Sequence, residues 1–376
     1  MAYRLDFPGN ERVRRRLERA LDLGRLAGAY LFEGAPGAGQ EQAAVALAAA
    51  AITGQEDPDH PEARRVRRYA HPDLHYLLPL TRGRKSWGEM TESELMGLFR
   101  EQQGRKGEDP WHLPVHDKAP HLPIEAVRLV MGILATRPFE GRRKAVVIRD
   151  ADRMRADAQD TLLKSLEEPP AASLLILISF RPEALRPTIL SRCQRLPFDP
   201  LEPDVVTSLL QGRGLDAERA GLLATLSEGD AERAVMLAAA ETGEGNALLE
   251  RREAWLEIID TCEFGSELEM MDAVQTLTKR RDGGNPTQAR ADFLSLAISW
   301  YREVLRCGLA GEPPRVHVDQ ERRLRRHARL APEALAERIQ RCEKARGQIL
   351  AYANAELTLL SLFFSFRTGS AARTAP

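Results

Sequence analysis

Three short stretches of this chain carry residue types that act on phosphate. The first is G-A-P-G-A-G-Q-E, Gly34 to Glu41, which follows the apolar run Ala29-Tyr30-Leu31-Phe32-Glu33 and precedes an alanine-rich segment, Gln42 to Ile52. Strand, glycine loop and helix in that order let backbone N–H groups point inward at an anion, with the helix N-terminus favouring negative charge. The full pattern is G-x-x-x-x-G-K-[ST], with lysine on the β- and γ-phosphates and a hydroxyl on magnesium. Gly34, Pro36, Gly37 and Gly39 keep the form of the loop, but Gln40 stands at the lysine position and Glu41 at the hydroxyl position. A carboxylate there faces phosphates of its own sign, and that repulsion is expected to cancel the help from the backbone. The second stretch is Ala145-Val146-Val147-Ile148 followed by Arg149 and Asp150. The third is P-T-I-L-S-R-C-Q, which contains Ser191, Arg192 and Cys193.

The elements that position the last two are readable. Ala145 to Ile148 is a short apolar strand, and Ala156 to Glu167 places Ala158, Leu162, Leu163 and Leu166 on one helical face. Pro169 and Pro170 end that helix, because proline removes a donor and restricts the residue before it. Ser173 to Ser179 is a short unbroken apolar run, as a strand buried on both faces requires. Strand, helix, strand and an arginine on a helical turn make the second half of a nucleotide-binding α/β domain. A surface arginine capping a helix end is the plainer account of Arg192.

L-L-K-S-L-E-E-P-P, Leu162 to Pro170, followed by P-T-I-L-S-R-C-Q resembles the sliding-clamp loader branch of the AAA+ ATPases. The resemblance implies that Arg192, within Ser191-Arg192-Cys193, reaches the nucleotide site of a neighbouring subunit. It also implies that the magnesium-binding strand should end in Asp-Glu, where this chain has Arg149 and Asp150, and a cation cannot coordinate magnesium. Ser179 closes the next strand of the same degenerate site. Gly229 to Ala234 resembles the second sensor motif, with Glu232 where active subunits keep arginine and Arg233 one place on. Lysine, hydroxyl and metal carboxylate are thus absent together. That combination, with S-R-C retained, is similar to the delta-prime family of bacterial DNA polymerase III clamp-loader subunits. The likeness runs from Phe7 to about Ala240, with Gly28 replacing a usual histidine.

Bulk properties bound the rest. A chain of 376 residues accommodates two or three domains, and a formal net charge of -1 advertises no global affinity for nucleic acid. No apolar run approaches the roughly 20 residues that span a bilayer. The start, M-A-Y-R-L-D-F-P, lacks a signal-peptide core. Cys193, Cys262, Cys307 and Cys342 lie far apart, which fits reduced thiols, and a cytoplasmic location is expected. Relatives carry a four-cysteine zinc module after the loop helix. Here only His60, His71 and His75 remain, read as turn or surface histidines in preference to ligands, so no metal and no bound cofactor are expected.

The expected fold is α/β followed by all-α: an AAA+ parallel-sheet domain over 1–200 with an insertion at 81–120, a helical lid over 201–243, and a helical collar over 244–368. A flexible tail, 369–376, follows. An amphipathic helix is expected over Arg12–Leu26. Trp87, Trp111 and the Gly-Arg-Lys runs of the insertion suggest stacking on nucleic acid, but Glu89, Glu92, Glu94, Glu101 and Glu108 offset that charge. The insertion therefore reads as a solvated excursion. Pro203–Gln211, Asp216–Leu226 and Asp230–Ala240 make three short lid helices, with a hinge at 241–246, and Pro332–Phe366 reads as one long final helix. Its Leu357, Leu360, Leu362 and Phe363 serve either a core or an oligomer interface.

The function expected is a non-catalytic stator that lends Arg192 to the ATP of an adjacent motor subunit during loading of a sliding clamp onto primed DNA. Its implied partners are gamma/tau-type and delta-type loader subunits, with clamp and DNA met through the complex. Two other readings stay open: an active motor ATPase of the same branch, and a stand-alone nucleic-acid-binding protein.

Overall fold

Five strands pair side by side, all parallel, in the order β2-β3-β4-β1-β5. They are β1 (Ala29–Gly34), β2 (Leu74–Leu77), β3 (Lys144–Ile148), β4 (Ser173–Ser179) and β5 (Gln194–Phe198) in the computed structural model of the chain. It describes residues 2–81, 86–114, 120–240, 247–279, 286–311, 313–314, 317, 320–351 and 353–371. Every residue of β3 and β4 is buried, which is why both read as uninterrupted apolar runs. The order reverses at β1, whose neighbours are β4 and β5. In such sheets the crevice beyond the strands' carboxyl ends at that reversal is where ligands bind.

The helices of the first half are α1 (Glu11–Asp22), α2 (Gln40–Thr53), α3 (Pro61–Arg67), α4 (Glu92–Glu108), α5 (Ile124–Leu134), α6 (Ala156–Glu167) and α7 (Pro187–Leu190). Helix α1 stops at Asp22, four residues short of the expected Leu26, because Leu23 and Gly24 turn back onto Arg19 and Leu21. Helix α2 packs on β1, β3 and β4, and its run of alanines lets it lie close to the sheet.

The solvated excursion is corrected. Helix α4 packs against β2 and α5, and Trp87, Leu95, Phe99, Lys106 and Trp111 are all buried. The glutamates that suggested a solvated segment lie largely on the outer face: Glu92, Glu94, Glu101 and Glu108 are exposed. Trp87 donates its indole N–H to His121 Nε2 at 2.8 Å, a bond within the fold. Positions 82–85 and 115–119 of the insertion lie outside the described residues.

The histidines also have local work. His60 Nδ1 accepts the Glu62 N–H at the start of α3, and His71 Nδ1 accepts the Asp73 N–H. Burial, followed by Lys144, lowers His75 to about 4. Among the described residues no group of histidine, cysteine or carboxylate side chains is arranged to hold a metal ion. Asp73 is buried and accepts three consecutive backbone N–H groups, from Phe139 at 2.6 Å, Glu140 at 2.9 Å and Gly141 at 2.7 Å. The His71-Pro72-Asp73 turn thereby fixes the approach to β3.

The chain divides into two compact units between Met236 and Leu237. Helices α8 (Pro203–Gln211) and α9 (Ala217–Leu226) and the start of α10 (Ala231–Ala240) belong to the first unit with the sheet. The second holds α11 (Ala247–Phe264), α12 (Glu267–Lys279), α13 (Pro286–Ala310), α14 (Glu321–His327), α15 (Pro332–Leu350) and α16 (Ala355–Ala371). The expected hinge at 241–246 and positions 372–376 lie outside the described residues.

Two expectations for this second half are revised. The single final helix is two, because the Asn354 side chain accepts the Leu357 N–H at 3.0 Å and starts a new helix. That helix continues to Ala371, past the expected start of the tail. Within it Leu362 and Phe363 are core, Leu360 is half-buried and Leu357 is 66% exposed. None of the helices is long and apolar enough to cross a membrane among the described residues.

Candidate functional site: a charge-filled phosphate loop

The loop leaving β1 has the left-handed and close-packed glycines of a tight turn, at Gly34, Gly37 and Gly39. Gly34, at φ 142°, passes so close to β5 that an added Cβ would sit 2.2 Å from the Phe198 carbonyl oxygen. At Gly37, φ 65°, a Cβ would meet the Asp230 carboxylate. Only glycine fits either position. Gly39 is left-handed as well and precedes α2 as its N-cap, while Pro36 is exposed on the outer turn. Gln40, where lysine would reach outward, folds back: its Nε2 donates to the Ala35 carbonyl at 2.7 Å and it is only 2% exposed.

Glu41, one residue on, is the hub. Its carboxylate accepts the Tyr69 hydroxyl at 2.6 Å, Lys106 Nζ at 2.8 Å and Arg149 Nη1 at 2.5 Å. Burial alone would raise this carboxyl, but Lys106 and Arg149 outweigh it and hold it down at about 2. Tyr69 is driven well above its ordinary value by burial and by the Glu41 charge, so it stays a neutral donor.

Arg149 bridges the two sides of the site. Besides Glu41 it donates through both terminal nitrogens to Glu232, the Nη2–Oε2 distance being 2.7 Å, and it lies over the Phe180 ring. Burial opposes its charge, and the carboxylates around it, Glu232 foremost, raise its pKa well above the ordinary value. Glu41, Lys106, Arg149 and Glu232 are each 5% exposed or less, and their two positive and two negative charges cancel. Buried charges are tolerated when so paired and hydrogen-bonded. Of the two neighbours Glu232 and Arg233, Glu232 is the one whose carboxylate bonds Arg149.

The neighbouring residues close the rim. Asp150 takes a left-handed conformation, φ 49°, and its carboxylate lies 3.7 Å from Arg149 Nε; burial raises its pKa. The Ala231 N–H, at the start of α10, donates to the Gly37 carbonyl at 3.1 Å. Asp230 caps α10 through the Arg233 N–H, and burial, followed by Glu232, pushes its carboxyl up to about 6. Ser179 does not join the cluster: its hydroxyl donates to Asp152 at 3.1 Å.

Arg192 is elsewhere. It follows α7, bonds Glu167 at 2.8 Å and the Thr188 carbonyl at 3.0 Å, and its side chain is 34% exposed. Ser191 donates to the same Thr188 carbonyl at 3.2 Å. Cys193 is buried, and burial pushes its thiol up to about 12, which leaves it unreactive. Lys106 and Tyr69 were not singled out as site residues from the sequence. Lys106 reads there only as part of a Gly-Arg-Lys run that suggests nucleic acid, and it reaches Glu41 across 65 positions of chain.

The family described as DNA polymerase III, delta subunit, matches residues 9–202. The DNA polymerase III subunit delta' of Bacillus subtilis is 26% identical over 328 residues, covering 84% of this chain and 83% of that protein. The corresponding Pseudomonas aeruginosa subunit is 43% identical over 70 residues, 19% of this chain and 21% of its own length. Among solved structures, a DNA polymerase III gamma subunit-related protein of Thermotoga maritima aligns over 94% of this chain and 98% of its own, at 17% identity and a TM-score of 0.43. With just over half of its length inside the family match, and a delta' subunit aligned along most of the remainder, the chain belongs to the DNA polymerase III delta-prime family of clamp-loader subunits.

Proposed function

We propose that this chain is the non-catalytic stator of a DNA polymerase III clamp loader and lends Arg192 to ATP held by an adjacent motor subunit. The observation that carries the first half is the cluster of Glu41, Lys106, Arg149 and Glu232. Two carboxylates and two cations occupy the positions that phosphates and magnesium would need. A nucleotide would have to displace a neutral, fully bonded set while facing Glu41. The chain therefore hydrolyses no ATP of its own, which also argues against the motor reading.

The second half rests on Arg192. Its ion pair with Glu167 is partly exposed, and exposed pairs contribute only about 0–1 kcal/mol, so the guanidinium is easily redirected. Set against the γ-phosphate of a neighbour, it would stabilise charge developing there, an effect of roughly 10³ to 10⁵ in rate where an arginine acts in this way. The partners are gamma/tau and delta subunits, and the assembly opens a sliding clamp and places it on primed DNA. Arg192→Ala in the reconstituted complex is expected to cut DNA-stimulated ATP hydrolysis by at least about a hundredfold and leave the chain folded. Unchanged hydrolysis would refute the arginine's role.

A further inference from the structure

The same four charges do more than fill a loop, because they come from separate elements. Glu41 begins α2, Lys106 ends α4, Arg149 leaves β3 and Glu232 opens α10. The bidentate pair of Arg149 and Glu232 thus runs from the sheet to the helical segment α8–α10. A second tie, Ala231 N–H to Gly37 carbonyl, holds that segment to the glycine loop. A third joins Arg213, between α8 and α9, to Asp109 at the end of α4, with one contact at 3.3 Å. All three lie inside the first compact unit.

The charges are arranged so that the pair closes without a ligand. Phosphate in the loop would call for a cation on α10 and a metal-binding carboxylate after β3. This chain has the reverse, a carboxylate on α10 and a guanidinium after β3. Arg149 faces two carboxylates, however, and one cation between two anions leaves a net buried negative charge. Lys106 removes it by bonding Glu41, and Arg149 can then turn both terminal nitrogens to Glu232.

We infer that Arg149 and Glu232, with Lys106 neutralising Glu41, form a permanent latch that holds α8, α9 and the start of α10 on the sheet in one position, independent of nucleotide. This rests on the reading of a pocket that takes no nucleotide and is separate from the role of Arg192. A stator so built offers neighbouring subunits a fixed surface.

Hydrogen–deuterium exchange on the full-length chain tests it, with peptides over 203–236 compared with those over 144–148 and 173–179. In the natural sequence, exchange over 203–236 is expected to be the same with and without magnesium-ATP. Glu232→Gln, which keeps size and one acceptor oxygen but loses the charge and the second acceptor, should speed exchange there about tenfold, with the strands unchanged. Arg149→Met should do the same, and the double variant should be little faster than either alone, since both remove one interaction. Lys106→Met should loosen the same peptides.

Exchange over 203–236 that slows with magnesium-ATP, or a Glu232→Gln chain that exchanges like the natural one, would overturn the latch. So would loss of protection throughout the strands in Glu232→Gln, because the pair would then hold the sheet. Slowing by magnesium-ATP confined to 34–41 would instead sink the nucleotide-free reading and spare the latch.

Discussion

A single carboxylate, Glu41, shows how far one residue can redirect a site. At the start of a helix that follows a glycine loop its charge repels phosphate, and two cations, Lys106 and Arg149, bond it instead. Removing one of them leaves a buried charge uncompensated, so Lys106→Met should cost about 3 kcal/mol, read as a lower denaturant midpoint. Asp230 behaves in the opposite way. Its folded pKa of about 6 lies above the ordinary 3.8, so the native state holds its proton more tightly than the unfolded chain. The resulting cost is absent near pH 4, grows as pH rises toward 6 and is complete above it. Asp230→Asn keeps the capping oxygen and should raise stability by about 1–2 kcal/mol at pH 7.5, with the gain fading near pH 4. Thermal melts at the two pH values check this. At this scale Glu41, Arg149 and Glu232 were legible as charge reversals at motif positions. Lys106 was not, because an ion pair between distant segments leaves no periodic trace.

At the scale of elements, buried runs and proline boundaries were the readable features. Ser173–Ser179 and Pro203–Gln211 have the limits that their residues indicate, since a fully buried strand and a proline-started helix leave few alternatives. Helix α4 was misjudged because its charged and polar residues together outnumber its four apolar ones, Leu95, Met96, Leu98 and Phe99. Leu95 and Phe99, four apart, set the buried face on which Lys106 is carried inward. Phe99 is 1% exposed, and Phe99→Ala should cost about 3–5 kcal/mol and disturb the Glu41 cluster as well. A destabilisation below about 1 kcal/mol in denaturant titration would show α4 to be dispensable to the core. The break before α16 was missed for a different reason. An asparagine cap inside an otherwise helical pattern is weak in sequence and becomes decisive only when its side chain finds the Leu357 N–H.

At the scale of the molecule, the parallel sheet and the helical second half follow from the order of apolar runs, and the family match covers the part where that order is most regular. Within the second unit, Phe293 and Tyr301 of α13 pack their rings against Phe363 and Phe366 of α16. A buried pair, Arg338 with Glu263, is held beside the Tyr301 hydroxyl.

The filled loop of the first unit bears on mass action. A protein whose fold is completed by a dissociable ligand gains stability with the logarithm of that ligand's concentration, so its melting temperature records how much is present. Here the completing groups are peptide-bonded to the fold at fixed stoichiometry, and dilution cannot withdraw them. The melting temperature of the isolated chain should therefore stay flat across an ATP titration, at the level of a fold that keeps its form in an energy-starved cell.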